Sequence, residues 1–377
     1  MEFRDLKKQY QQLKPAIDQA MTDVAVSGAY IMGAPVKELE KSLSNYVGVR
    51  NCISCGNGTD ALTLALKAWG IGKGDAVFVP DFTFFASAEV VALEGATPVF
   101  VDVDPRTFNI DLNSLEQAIA AVRAEGKLQP KVVVAVDLFG LPANFIDLRV
   151  IAEREHLLIL EDGAQGFGGS IGDKRACSFG DIATTSFFPA KPLGCYGDGG
   201  AVFTDNDEWA RLIESYRVHG KGGDKYDNVR IGLNSRLDSL QAAILQVKFK
   251  AFRDYELQDV NRAAQRYDTL LQSLSDKLTL PLIPEGYGSS WAQYTLILHD
   301  GIDRSKMQAA LKEKGIPSMV YYPTPMSRQT AFRHVHRFVD TPVAQQLSQQ
   351  VLSLPIHPYL TKTDTDTVCN ALESYLI

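Results

Sequence analysis

Short β-branched runs alternate with amphipathic helical stretches through the first 205 residues of the chain. Several of these runs are apolar on both alternating faces, as a strand must be when helices cover both sides of its sheet. This alternation predicts an α/β fold with a largely parallel sheet. The predicted strands are Asn51–Cys55, Val77–Pro80, Pro98–Val103, Lys131–Asp137, Leu157–Asp162 and Ala201–Thr204, with helices such as Ser114–Val122 and Ile146–Arg154 between them.

The pattern changes after about residue 235, where a long stretch of helical period is followed by shorter strand candidates. We therefore expect two domains. A large α/β domain with an N-terminal arm would span residues 1–250, and a small α+β domain would span residues 251–377. The elements behind this division are helices at Leu6–Val26, Asp238–Leu274 and Asp366–Tyr375, and strands at Tyr294–Leu298 and Met319–Tyr322.

Charge and hydropathy exclude several classes of function. The 38 basic and 45 acidic residues give a net charge of −7, so the chain lacks the global basic field on which non-specific binding to nucleic acid relies, although a local basic pocket for one phosphorylated metabolite stays open. No apolar run approaches the roughly 18 residues of a membrane span. The first 14 residues are charged throughout and lack the apolar core of a signal peptide. We expect a cytoplasmic protein with no membrane partner.

The cysteines and histidines do not predict a metal site. Five cysteines are an odd number in a long chain, which argues against a disulfide framework. Cys52 and Cys55 form a CxxC pair with no second pair or nearby histidine to complete a zinc site, so we interpret them as buried, inert thiols. His334 and His336 have no carboxylate at helical spacing and are expected on the surface.

A glycine turn is the first candidate site. The segment 56–60 (GNGTD) follows a predicted strand and leads into a predicted helix at Ala61–Trp69. Such a turn presents free backbone N–H groups and the positive end of the helix dipole to a phosphate, with Thr59 expected as the N-cap. The same pattern is also common in turns that bind nothing, so the turn alone leaves both interpretations open.

An acidic pair and a lysine are the second candidate. Glu161 and Asp162 end a strand, at the edge where α/β sheets bind ligands. Lys191 lies between aromatic residues and a glycine-rich stretch. Burial disfavours the ammonium form and lowers the pKa of a lysine, which makes its amine a nucleophile towards carbonyl groups.

Taken together, these motifs resemble the sugar aminotransferases of the DegT/DnrJ/EryC1/StrS family. The resemblance covers nearly the whole chain and implies the fold type I, aspartate aminotransferase-like scaffold with pyridoxal 5′-phosphate (PLP/PMP) as cofactor. The form FFPAKPLGCYGDGGA is most similar to the branch that aminates C3 of UDP-linked 3-keto-hexuluronic acids. The matching segments are 30–33 (YIMG), 58–62 (GTDAL), 161–162 (ED), 186–200 (SFFPAKPLGCYGDGG), 217–220 (RVHG), 234–238 (NSRLD) with 241–243 (QAA), and 354–358 (LPIHP).

The resemblance implies a role for particular residues at the cofactor ring. Lys191 would bind the cofactor covalently and act as the catalytic residue. Asp162 would lie beside the pyridine nitrogen, Gln165 near the ring hydroxyl, and Phe84 against the ring face. The carboxylate of Asp162 would keep the ring protonated, so that it accepts electrons from the substrate.

The phosphate and substrate sides follow in the same way. Gly58, Thr59 and Ser186 are implied to bind the phosphate, and Asn234 to reach it from the neighbouring subunit of a homodimer with shared active sites. Arg236 and Tyr322 are candidates for substrate contacts. The family implies L-glutamate as donor, a nucleotide sugar as acceptor, a ping-pong cycle and a role in cell-surface polysaccharide.

Three positions depart from the family pattern. Asn57 replaces the usual Ser or Ala, which leaves the phosphate turn intact. Ser327 stands where many relatives have histidine, which puts a sugar or carboxylate contact in doubt. Asp137 also replaces a frequent histidine, with no assignable effect.

Other functions remain to be weighed. A 4-aminotransferase acting on a 4-keto-6-deoxy nucleotide sugar is the main alternative. The dehydratase-like branch carries histidine in place of the cofactor lysine, whereas this chain has Lys191. A Rossmann oxidoreductase is disfavoured because segments 166–169 and 197–200 lack the G-x-G-x-x-G spacing. A non-enzymatic PLP- or nucleotide-binding protein would not need the acid, lysine and phosphate residues together.

Overall fold

The computed structural model describes residues 1–224 and 226–376. Its helices are α1 (Leu6–Ser27), α2 (Ala34–Val47), α3 (Gly58–Ala68), α4 (Ala86–Leu93), α5 (Leu112–Glu125), α6 (Phe145–Glu155), α7 (Asp207–Tyr216), α8 (Ser239–Ala251), α9 (Leu257–Leu271), α10 (Arg304–Glu313), α11 (Pro342–Gln350) and α12 (Lys362–Leu376). Its strands are β1 (Asn51–Cys55), β2 (Asp75–Pro80), β3 (Thr97–Val101), β4 (Gln129–Val136), β5 (Leu158–Asp162), β6 (Ser170–Ile171), β7 (Lys174–Arg175), β8 (Ile182–Ser186), β9 (Gly200–Thr204), β10 (Leu278–Thr279), β11 (Tyr287–Gly288), β12 (Tyr294–Leu298) and β13 (Val351–Leu354).

A seven-stranded sheet in the order β1-β9-β8-β5-β4-β2-β3 forms the framework. The five strands β8, β5, β4, β2 and β3 run parallel, and β9 pairs antiparallel with both β8 and β1. The predicted α/β class and the largely parallel sheet are therefore confirmed.

The ends of the strands bring most of the candidate site residues to one edge of this sheet. Parallel strands β2, β4, β5 and β8 all end at the same edge. Because β9 is antiparallel, it begins at that edge, and β1 ends there beside it, with Cys55 opposite Gly200. Loops from six of the seven strands thus meet in one place, as is usual for ligand sites in α/β sheets.

The central strands are apolar at successive positions because each face packs on its own core. In β4, Val132 and Val134 belong to one cluster with α3 and α4, whereas Val133 and Ala135 belong to another with α5 and α6. This two-sided burial is what the runs of β-branched residues predicted.

The C-terminal part has a separate apolar cluster around the three-stranded sheet β10-β12-β13, built with α9, α10 and α12. The long predicted helix is present as α8, a π-helical turn at Phe252–Glu256, and α9. The division into domains at residue 250 stays a prediction. Among the described residues, no helix combines the length and apolar character that a membrane crossing needs.

The strand predicted at Met319–Tyr322 is wrong. Only Met319 pairs, in a single antiparallel bridge with Ser353. The segment continues into Pro323 and Pro325, which have no N–H to donate to a ladder and hold their φ angles near −65°. The segment turns towards the large sheet instead, where Tyr322 reaches the candidate site.

Gly168 is required by the packing behind β5. Its φ is +103°, and a Cβ there would lie 2.5 Å from the Phe252 ring of the π-helical turn. Gly172 also has a positive φ, of +55°, but a Cβ there would meet nothing within 4 Å.

We expect Gly168→Ala to lower the free energy of unfolding by about 1–3 kcal/mol more than Gly172→Ala, because only the first adds overpacking to backbone strain. Urea unfolding of the two variants beside the unmodified chain measures this difference. Equal losses would show that the contact with Phe252 does not constrain the turn.

Candidate active site

The phosphate turn is present, with one correction. Helix α3 begins at Gly58, earlier than predicted, and its N-cap is Asn57, whose Oδ1 accepts a hydrogen bond from the N–H of Asp60 at 2.8 Å. Thr59 is therefore not the N-cap but lies in the first turn. The predicted cap was wrong because Asn57 is an equally good capping residue two positions earlier.

Gly58 and Ser186 lie in direct contact. A Cβ on Gly58 would be 2.7 Å from the Cβ of Ser186, so no larger residue fits between the helix start and the end of β8. The N–H groups of Gly58 and Thr59 precede the first hydrogen bond within the helix and lie at its positive end. The structure thus brings Gly58, Thr59 and Ser186 together, as predicted for a phosphate site.

Asn234 and Arg236 belong to a segment that touches this turn. Ser235 Oγ accepts a hydrogen bond from the N–H of Gly56 at 2.9 Å. Asn234 is exposed, and its Oδ1 accepts a hydrogen bond from Arg236 at 2.5 Å. The amide of Asn234 is therefore displayed at the surface beside the phosphate turn of its own chain.

Asp162 ends β5 as a buried carboxylate. Its Oδ2 accepts a hydrogen bond from Ser87 Oγ at 2.7 Å, and its Oδ1 accepts one from the N–H of Ala164 at 3.2 Å. Ser87 in turn lies 3.1 Å from Thr83 Oγ1. Ser87 was not a sequence-based candidate, because a serine early in a helix carries no distinctive signal.

Gln165 connects three parts of the site. Its Oε1 accepts the N–H of Phe139 at 2.8 Å, and its Nε2 donates to the hydroxyl of Tyr322 at 2.9 Å. Burial raises the pKa of Tyr322, so this hydroxyl stays protonated at neutral pH. The Phe84 ring lies 6.3 Å from the Tyr322 ring and is 53% exposed, facing the open side of the site.

Lys191 is half-buried in a turn closed by its own N–H, which donates to the carbonyl of Phe188 at 2.8 Å. Loss of hydration lowers the pKa of the Lys191 amine, and the positive charge of Arg4 lowers it further. The carboxylate of Asp162 acts in the opposite direction. These effects favour an amine that can lose its proton near a fixed negative charge.

Lys248 in α8 is a second buried amine. Burial lowers its pKa to about 8, and its ammonium lies 5.0 Å from the centre of the Tyr196 ring. The charges acting on it are those of Glu256, Arg4 and Cys195, rather than that of Asp162.

Arg4 is a contributor that sequence reasoning missed. Its guanidinium donates hydrogen bonds to the carbonyl oxygens of Lys191, at 2.9 Å, and Pro192, at 3.4 Å. The N-terminal arm thus holds the lysine loop from a position 187 residues away in sequence. No local pattern distinguishes Arg4 from a solvated surface arginine.

Ser327 has a structural contact. Its N–H and its hydroxyl both donate to the buried carboxylate of Asp81, at 2.6 and 2.7 Å, and the N–H of Met326 donates to the Asp81 carbonyl at 2.8 Å. These bonds join the segment that carries Tyr322 to the end of β2. Ser327 therefore fixes this segment to the large sheet rather than facing the candidate site as an unpaired side chain.

The cysteines fit the prediction of inert thiols. All five are free and buried. Burial raises the pKa of Cys55 to about 12 and that of Cys52 well above its usual value. In the part of the chain that the structure describes, no group of three or more histidine, cysteine or acidic residues is arranged to hold a metal ion.

These residues fit pyridoxal phosphate. The cradle of Gly58 against Ser186 and the start of α3 suit a phosphate, because a side chain at residue 58 would fill it. Asp162 suits a protonated pyridine nitrogen, and Lys191 suits the aldehyde carbon. Three chemically different requirements are met at one edge of the sheet.

Replacing Arg4 with methionine should raise the pKa of the Lys191 amine, because it removes a nearby positive charge. The rate at which pyridoxal phosphate reacts with the apoprotein is followed by absorbance at a series of pH values. In the variant, this rate should rise at a higher pH than in the unmodified chain. Lys7→Met is the control, because Lys7 is exposed and pairs only with Glu2. An unshifted profile for the Arg4 variant would contradict the effect of Arg4 on Lys191.

The chain is similar to known proteins along nearly its whole length. Residues 11–373 match the model of the DegT/DnrJ/EryC1/StrS aminotransferase family. The chain is 43% identical to the UDP-2-acetamido-2-deoxy-3-oxo-D-glucuronate aminotransferase of Pseudomonas aeruginosa, over 99% of each chain. It is 37% identical to the UDP-N-acetyl-3-dehydro-alpha-D-glucosamine 3-aminotransferase of Acidithiobacillus ferrooxidans, over 99% of this chain and 97% of the other.

Solved structures agree. A DegT DnrJ EryC1 StrS aminotransferase from Brucella abortus has a TM-score of 0.96 and 47% identity, covering 100% of this chain and 99% of its own. NtdA of Bacillus subtilis, solved with its cofactor PMP, has a TM-score of 0.88 and 29% identity, covering 97% and 82%. Aminotransferases of this family depend on pyridoxal phosphate. The chain therefore belongs to the DegT/DnrJ/EryC1/StrS aminotransferase family and is a pyridoxal-phosphate-dependent aminotransferase.

Proposed function

We propose that this enzyme transfers the amino group of L-glutamate to C3 of a UDP-linked 3-keto-N-acetylhexuluronic acid, in a ping-pong cycle. The observation that carries the proposal is the 43% identity, over 99% of both chains, to an aminotransferase named for a UDP-linked 3-oxo-glucuronate. A second relative is also named for amination at C3 of a UDP-linked sugar.

Pyridoxal phosphate, when bound, supplies the carbonyl that accepts the amine and a ring that withdraws electrons from the reacting carbon. Asp162 holds a proton on the ring nitrogen through its carboxylate, and Ser87 keeps that carboxylate in place. The amine of Lys191 takes the proton from the amino-bearing carbon of the donor and delivers it to the cofactor carbon that supplied the carbonyl. Its lowered pKa suits both directions.

The phosphate is held by the residues at the start of α3. The N–H groups of Gly58 and Thr59, with the hydroxyl of Ser186, are the proposed donors. Gln165 and Tyr322 close the other side of the site through their shared hydrogen bond, and Phe84 covers the ring face.

Arg236 is the proposed substrate-side cation. Its Nε is buried and has no hydrogen-bond partner among the described residues, although its Nη2 donates to Asn234. A buried N–H without an acceptor is costly, so an acceptor supplied by the substrate would satisfy it. A carboxylate or phosphate oxygen of a nucleotide-linked uronic acid has the required chemistry.

The active unit is proposed to be a homodimer. Large apolar side chains are exposed near the site and on the segment before Asn234, a distribution typical of an interface. Asn234 itself is exposed, so its amide is available to a neighbouring subunit. The exposed apolar residues are Tyr30, Ile31, Phe84, Phe188, Val229 and Ile231.

A cytoplasmic location and a role in cell-surface polysaccharide belong to the same proposal. Five free, buried thiols suit a reducing compartment. An amino sugar on a nucleotide carrier is a precursor suited to polymer assembly.

The acceptor can be tested in two steps. The pyridoxal-phosphate form is mixed with L-glutamate, and bleaching of its visible absorption band with release of 2-oxoglutarate reports the first half-reaction. The negative control is Lys191→Ala. Its half-reaction should be at least about 100-fold slower than that of the unmodified enzyme, because it lacks the proton-transferring amine. Lys248→Ala, which removes the other buried amine, should retain the half-reaction if the protein folds.

The second half-reaction is then measured against a panel. The UDP-linked 3-keto-hexuluronate should regenerate the visible band with the highest kcat/KM. A higher kcat/KM for a 4-keto-6-deoxy nucleotide sugar would contradict the proposal and support the 4-aminotransferase alternative. Bleaching by another amino acid but not by glutamate would overturn the donor.

Subunit complementation tests the shared site. Asn234→Ala should lower kcat/KM about 10- to 100-fold through loss of a phosphate contact. Co-expressed chains carrying Lys191→Ala and Asn234→Ala should form mixed dimers with one intact site, because the intact lysine and the intact asparagine then come from different chains. Activity above the mean of the two parent variants is expected. No recovery in verified mixed dimers would place Asn234 in the site of its own chain.

A further inference from the structure

Two carboxyl groups meet behind the cofactor-facing edge of the sheet. Glu161 lies in β5, and Asp137 follows the end of the neighbouring parallel strand β4. Both side chains are fully buried, and each carboxyl group affects the pKa of the other. Asp162 follows Glu161 in β5 and pairs with Val136, and its carbonyl accepts a hydrogen bond from the N–H of Asp137 at 3.1 Å.

Glu161 has the contacts of an ionised carboxylate. One of its oxygens accepts the N–H of Cys177, and the other accepts the N–H groups of Phe179, at 2.7 Å, and Gly180, at 2.9 Å. Three backbone donors stabilise the negative charge of a buried carboxylate. Glu161 is therefore suited to accept a hydrogen bond from a neutral Asp137.

Asp137 has the contacts of a neutral acid. Its Oδ1 accepts the N–H of Ala143 at 3.1 Å, whereas its Oδ2 receives no hydrogen bond from any donor among the described residues. Its carboxyl group is also closely packed, because a Cβ on Gly166 would lie 2.3 Å from Oδ2. A proton on Asp137 is what allows two buried carboxyl groups to bond rather than repel.

We propose that Asp137 and Glu161 share a single proton at neutral pH, with Asp137 as the neutral donor, and that this bond makes Asp137 a positioning residue for the Asp162–Gln165 segment. The proton lies in the Asp137–Glu161 hydrogen bond, and Glu161 keeps the charge.

The titration behaviour agrees with this geometry. Burial is the main cause that raises the pKa of Asp137 well above its usual value, and the negative charge of Glu161 raises it further. Burial also raises the pKa of Glu161, but the three backbone N–H groups bound to this carboxyl group act against that effect. The other titratable groups acting on Asp137 or affected by it are Asp162 and Cys177.

The neutral form of Asp137 bears on the reaction through Asp162. An ionised Asp137 would add a third negative charge beside Glu161 and Asp162, and repulsion between the carboxylates would displace the Asp162–Gln165 segment and weaken its hold on a pyridinium nitrogen. Asp137 also packs against the turn at Gly163 and Gly166, which carries Gln165. This consequence rests on the proposed role of Asp162, whereas the shared proton does not.

The sign of the pH dependence follows from the raised pKa. In the unfolded chain Asp137 ionises near pH 4, but in the folded chain it keeps its proton, so folding takes up a proton above that pH. The stability contributed by the pair is complete below the unfolded pKa and is lost as pH rises towards the folded pKa.

Asp137→Asn tests the shared proton, because an asparagine amide can donate to Glu161 and accept from Ala143 at every pH. The folding equilibrium constants of apoprotein and variant are measured by urea unfolding between pH 5 and 7. Their ratio, variant over unmodified, should rise about tenfold per pH unit. The control is Asp173→Asn on the exposed β6–β7 turn, for which a flat ratio is expected. A flat ratio for Asp137→Asn as well would overturn the proposal.

Infrared spectroscopy provides a second measurement that does not depend on the folding of one variant. At pH 7 the apoprotein should show a carbonyl band of a protonated carboxyl group. Burial also raises the pKa of Asp81 and Asp268, so the band should persist in Asp81→Asn and Asp268→Asn and disappear in a folded Asp137→Asn variant. A spectrum of the unmodified apoprotein without such a band contradicts the shared proton.

The positioning role has its own test in the holoenzyme. Asp137→Ala should weaken cofactor binding and narrow the pH range of turnover, and Asp137→Asn should restore both, because the neutral donor is what matters. Failure of Asn to rescue Ala would refute the positioning role. If the proton signals are present but Asp162→Asn binds cofactor normally and turns over normally, the role of Asp162 fails while the shared proton stands.

Discussion

The pairing of β5 between β4 and β8 is the constraint on which the site depends. In parallel register, Val136, Asp162 and Thr184 lie side by side, so β4 and β5 end at the same level and β8 extends two residues further. Each strand end then contributes a different chemical group: the buried acid Asp137 directly after β4, the carboxylate of Asp162 at the end of β5 and the hydroxyl of Ser186 at the end of β8. A shift of one residue in β5 would turn Asp162 to the opposite face and exchange its place with Glu161.

Their surroundings then give side chains of the same type different electrostatic properties. Glu161 and Asp162 are adjacent in sequence but face opposite sides of the sheet, where one is bound by backbone N–H groups and the other by Ser87. Lys191 and Lys248 are both buried amines of lowered pKa, but only Lys191 is acted on by Asp162. Position relative to the carboxylate of Asp162 is therefore the physical difference between the lysine that we propose binds the cofactor and Lys248.

Much of this arrangement could be predicted from local sequence. The strands of the large sheet follow from their β-branched runs, and the Gly58 turn, Asp162 and Lys191 follow from motif and spacing. Contacts between distant segments could not be predicted in this way. Arg4 reaches Lys191 across 187 residues, and Ser327 bonds to Asp81 across 246, with no periodicity or motif that records either pair. The strand expected at Met319–Tyr322 was wrong for a different reason, because a β-rich composition does not outweigh the two prolines that follow and turn the segment away from β13 after Met319.

The central claim is that Lys191, rather than the other buried lysine, carries the cofactor. Borohydride reduction of the pyridoxal-phosphate form makes the lysine attachment permanent, and peptide mass spectrometry then locates it. The account predicts the label on the peptide containing Lys191 and an unlabelled peptide containing Lys248. A label on Lys248 would contradict the assignment, because the cofactor would then be attached to a lysine on which Asp162 does not act.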